Sequence, residues 1–104
     1  MSNLEISDLQ DAALSELNLI FKVQKRMKEN EESKNPEDAL LYFYAGLFLI
    51  AKLQKILRAI EAINQDSTLT QKSEFLDIKM SSKNFAEASP LFAELQKYLL
   101  ASLL

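Results

Sequence analysis

The chemistry open to this chain is set first by what it lacks. None of its 104 residues is a histidine or a cysteine, which removes the commonest general base, the commonest metal ligand and the strongest side-chain nucleophile together. Di-iron helical bundles need a Glu-x-x-His pair, which cannot be built here. No serine is followed three residues later by lysine, so the S-x-x-K nucleophile pattern is missing. The sole glycine, Gly46, lies inside an apolar run, so there is no glycine-rich phosphate loop. With no cysteine there is also no disulfide framework from which to infer a redox compartment.

The remaining polar clusters are carboxylates and amines. Glu29, Glu31 and Glu32 stand close together, but monodentate oxygens on a solvated helix end make a poor cation cage. Lys22, Lys25, Arg26 and Lys28 form a short basic patch at the end of a helical pattern, where the helix dipole favours cations. A net charge of −3 and a pI near 4.9 argue against nucleic acid or an anionic bilayer as the partner. The expectation is therefore a chain that is not an enzyme, without catalytic, cofactor-binding or metal-binding residues.

What is left is apolar association. Residues 39–51 read ALLYFYAGLFLIA, thirteen positions without a charge, between Asp38 and Lys52. As a helix this run covers roughly 20 Å, less than the ~30 Å hydrocarbon core of a bilayer. A helix that is apolar all round must be surrounded, and few other segments are available here to do it. The run therefore points to a partner or to self-association.

The elements that would position this run are helical. One glycine and two prolines are too few for a sheet with many tight turns. Ser2 with Glu5 and Ser7 with Gln10 both have capping-box spacing, and we take the first helix as 7–31, with Ile6, Leu9, Ala13, Leu17, Ile20, Phe21 and Met27 drawing one stripe. A polar loop over 29–34 follows. Asn35, Pro36, Glu37 and Asp38 then supply a cap, a first-turn proline and two carboxylates at the positive end of a second helix over about 36–64. After Lys52 that helix becomes amphipathic, and Gly46 beside Ala45 would permit a close approach by a neighbour.

Thr68 with Gln71 suggests a short helix within 68–82. Pro90 forces a fresh start, which we expect Ser89 to cap, and beyond it Phe92, Leu95, Leu99 and Leu103 form a last stripe. Ser33-Lys34-Asn35 also echoes Ser82-Lys83-Asn84, a similarity that shared helix-start chemistry explains.

The expected object is one all-α domain over 1–104, a small bundle or helical hairpin of three long helices plus one short one. Its N-terminal ten residues have no apolar leader, so we expect a cytoplasmic protein. The expected function is that of a non-enzymatic helical protein-binding module, an adaptor, chaperone or inhibitor, whose partner is another protein or its own copy. Leu40, Phe43, Tyr44, Leu47, Phe48, Leu95, Leu99 and Leu103 are the residues expected to bind. The alternative is a membrane-surface protein that uses the apolar C-terminal helix, weakened by Lys97 being the only cation after Pro90.

Overall fold

The computed structural model describes residues 3–64, 85 and 88–102, and every element among them is helical. Helix α1 runs Asn3–Glu32, α2 runs Pro36–Asn64 and α3 runs Ser89–Ser102. The all-α expectation holds, with three helices among the described residues. The short helix expected within 68–82 lies outside the described residues, as do Leu103 and the Ser82-Lys83-Asn84 echo.

Helix α1 is longer at both ends than the expected 7–31. It begins at Asn3, so the half-buried Ile6, one residue ahead of the expected start, is itself helical. At the other end the acidic stretch stays helical to Glu32, so the connection to α2 shrinks from the expected polar loop over 29–34 to a turn over 33–35. The turn is closed by backbone bonds that satisfy the last carbonyls of α1. The Asn35 amide reaches Asn30 O at 2.8 Å and the Lys34 amide reaches Glu31 O at 3.2 Å, the paired bonds of a Schellman motif. Lys34 adopts the left-handed φ of 59° that this motif requires, at a position where glycine is the usual residue.

Asn35 ends one helix and opens the next. Its carbonyl accepts the Ala39 amide at 3.1 Å, and its side-chain amide donates to Asp38 Oδ2 at 2.7 Å. So tight a turn sends α2 back antiparallel along α1. The Glu16–Lys52 ion pair at 3.7 Å sets the register of the two helices some four turns from the bend.

Burial on α2 follows one stripe. Ala39, Phe43, Gly46, Ile50, Leu53, Leu57 and Ile60 recur every three or four residues and are all buried. They meet Ala13, Leu17, Ile20 and Met27 of α1, and α3 adds Phe92, Leu95 and Leu99 to the same cluster. Within this chain the run 39–51 is covered along one side.

Phe85 locks the third helix onto the hairpin. Its ring is fully buried against Gly46 and meets Phe43 edge-on at 6.0 Å. A Cβ added at Gly46 would overlap that ring, coming to 2.8 Å from Cε2. The Phe85 carbonyl accepts from Gln24 Nε2 at 2.8 Å, and Gln24 Oε1 accepts from Ser89 Oγ at 3.0 Å. Ser89 is therefore inside α3 and commits its hydroxyl to α1, which corrects its expected role as the cap before Pro90. The carbonyl of Ala88, just before α3, takes the Leu91 and Phe92 amides at 3.0 and 3.1 Å. Pro90 sits in the first turn, where its missing N–H costs nothing.

Two stability predictions follow from these contacts. Lys34→Gly relieves the left-handed strain and should stabilise the fold by about 1 kcal/mol in urea unfolding. Gly46→Ala should destabilise by about 1–2 kcal/mol, although alanine is the better helix former by about 1 kcal/mol, because overpacking against Phe85 dominates. In a Phe85→Ala background the same change should become neutral or stabilising, which the double-mutant cycle reads directly.

Candidate protein-binding face

The eight residues expected to bind divide between the two sides of the core. Phe43 is only 8% exposed, and Leu95 and Leu99 are fully buried, so these three hold the helices of this chain together. Leu47 is half-buried. Leu40, Tyr44 and Phe48 face outward, at 46%, 56% and 66% exposure, and Leu103 lies outside the described residues. The set therefore does not form one surface, because Phe43, Leu95 and Leu99 belong to the core while Leu40, Tyr44 and Phe48 face away from it.

The outward residues form a surface of their own, and it includes one that was missed. Leu41 is 64% exposed, and with Tyr44 and Phe48 it repeats at helical spacing along α2. At 100° per residue this stripe is on the side of α2 opposite Phe43, Ile50, Leu53 and Leu57. Exposed Ala45 and Ala51 extend it, and Leu40 and half-buried Leu47 form one margin.

Charges bound this surface at both ends. Glu37 and Asp38 are exposed in the first turn of α2, while exposed Lys52 and Lys55 follow Phe48. Lys52 Nζ lies 5.6 Å from the centroid of the Phe48 ring, within cation–π reach, and 3.7 Å from Glu16 Oε1 across the interface with α1. Glu16 has its side chain 11% exposed, and its second oxygen, Oε2, has no hydrogen-bond partner. Lys52 is thus the countercharge for a largely buried carboxylate as well as the edge of the apolar stripe.

The rest of the described surface is less organised for binding. On α3, Leu91 and Leu100 are exposed, and a shallow depression runs past Pro90, Ala93, Glu94, Lys97 and Leu100. On α1, Leu19 is a lone exposed leucine. Among the described residues no three acidic side chains gather as a metal site.

The two sides of the core respond differently to charge. Phe48→Glu should change stability by no more than about 0.5 kcal/mol, the range for exposed positions. Leu99→Glu should cost about 3 kcal/mol or more, because it buries a carboxylate with no countercharge. Circular dichroism during urea titration of both variants checks the assignment of each residue to surface or core. In comparisons with protein-family models, with curated proteins and with solved structures, no match to this chain is found.

Proposed function

We propose that this chain is a non-enzymatic protein-binding module, acting as an adaptor, chaperone or inhibitor, and that it binds through the outer face of α2. The observation that carries this is the continuous exposure of Leu41, Tyr44 and Phe48 on the side of α2 opposite the core. Single exposed apolar residues are ordinary, whereas a contiguous row rimmed by charges is the form of an interaction surface. Covering such side chains is favourable by about 25 cal/mol for each Å² of apolar area removed from water. A partner helix laid along this face would meet Leu41, Tyr44 and Phe48 as anchors one turn apart.

Helix α2 also has the length of a membrane span over Pro36–Ile63, and its most apolar 18-residue stretch has a mean hydropathy of 1.5. Its neighbour makes immersion costly. The part of α1 that runs beside 39–51 carries Lys22, Lys25, Arg26 and Lys28, all exposed, which would have to enter hydrocarbon with it. Attachment to a bilayer surface through α3 has little support, because Phe92, Leu95 and Leu99 are spent on the core.

The test is site-specific photocrosslinking in cells, with a photoreactive amino acid placed at Leu41, and at Lys25 on α1 as a control. A discrete protein adduct from position 41, absent from position 25 and abolished by Phe48→Glu, is the expected result. No adduct from position 41, together with flotation of the purified chain on lipid vesicles, would replace this function with a membrane role.

A further inference from the structure

The side chains on the outer face of α2 are placed symmetrically about its middle and are complementary from one end to the other, in a way that fits one particular occupant. Taken along the helix, the exposed stripe begins with an acid, Glu37, continues through Leu41, Tyr44, Phe48 and Ala51, and ends with a base, Lys55. These six positions are symmetric about the level of residue 46. Tyr44 and Phe48 lie equally far on either side of it, as do Leu41 and Ala51, and Glu37 and Lys55.

Resting on the binding face assigned above, we propose that its partner is a second copy of this chain, with the two α2 helices packed antiparallel across a two-fold axis at the level of Gly46, on the side of α2 that faces away from that buried glycine. In that pairing Tyr44 faces Phe48 of the other copy, so two aromatic contacts are made by one symmetric operation. Leu41 meets Ala51, a large residue against a small one, which lets the helices approach closely. Glu37 meets Lys55 at each end, about 27 Å apart along the helix. A parallel pairing at the same level would set Glu37 against Glu37 and Lys55 against Lys55, and like charges in juxtaposition oppose it. Helix α1 leaves the face open, because it occupies the opposite side of α2 and would form the outer layer of a four-helix stack.

The size of the contact sets its strength. A footprint about 27 Å long and 10 Å wide is on the order of 300 Å² on each copy, which in total is below the roughly 1,000 Å² that a stable interface clears, so the association is weak, transient and concentration-dependent. Monomer and dimer should therefore exchange, unlike the subunits of an obligate dimer.

Light scattering on the intact chain from micromolar to millimolar concentration should show a mass rising from 11.8 kDa towards twice that value. Phe48→Glu should hold it at the monomer. Glu37→Lys and Lys55→Glu should each weaken the dimer by about tenfold, and the double variant should recover it, since the swapped charges again face each other. The chain has no cysteine, so orientation can be read with introduced ones. A mixture of Glu37→Cys and Lys55→Cys chains should form the mixed disulfide, with neither variant linking to itself. A monomer throughout the range, or a dimer insensitive to Phe48→Glu, overturns the self-pairing, and self-linking of Glu37→Cys overturns its antiparallel sense. A monomer that still gives the position-41 adduct in cells would leave the binding face intact with a different protein on it, whereas a monomer without that adduct removes both.

Discussion

The packing of these helices depends on the seat of one ring. Phe85 fills the space above Gly46, meets Phe43 edge-on and holds Gln24 through its own carbonyl. No larger residue at position 46 leaves room for that ring, and no apolar residue at position 24 could hold that carbonyl. Gln24 is itself nearly inaccessible, so its amide must find partners inside the protein, and it finds Phe85 on one side and Ser89 on the other. The two bonds bring the chain just before α3 against the middle of the hairpin, which lets Phe92, Leu95 and Leu99 close over α1. Directional polar bonds fix the alignment of a core whose apolar contacts are themselves indifferent to small slides.

The position of that seat decides what is left outside. Once α1 and Phe85 occupy the side of α2 that carries Phe43 and Gly46, the opposite side has no covering from the described residues, and Leu41, Tyr44 and Phe48 remain in contact with water. The hairpin turn reinforces this choice. Its three residues hold α2 close to α1 by satisfying the end of one helix with the start of the next, so α2 cannot roll to bring its other side inward without breaking the bonds at Asn35.

Much of this was legible from local chemistry. Asn35, Pro36 and Asp38 marked the start of α2 because capping depends on residues adjacent in sequence. The α1 stripe was legible because Ala13, Leu17, Ile20 and Met27 recur at helical spacing among polar positions such as Asp11, Asn18, Lys22 and Lys25, which face water. The side of 39–51 that would be covered was not, because thirteen uncharged positions in a row carry no internal marker of phase. The marker lay beyond the run: Glu37 and Lys55 are solvent residues, and extending their helical phase inward leads to Leu41, Tyr44 and Phe48. The left-handed turn at Lys34 had no signal either, since glycine is the usual sign and is not there. Ser89 was read for the role that serine commonly plays beside proline, while its actual partner, Gln24, is 65 residues away.

Lys52 belongs to both sides of α2 at once. Its ammonium balances Glu16 at the joint with α1 and rests over Phe48 at the rim of the open face. The field between that amine and the carboxylate depends on the medium around them, and the attraction deepens when water is displaced by protein. The outer face and the hairpin joint are therefore electrically coupled: whatever covers Phe48 also tightens the clasp between α1 and α2, so occupancy on one side of the helix is felt as rigidity on the other.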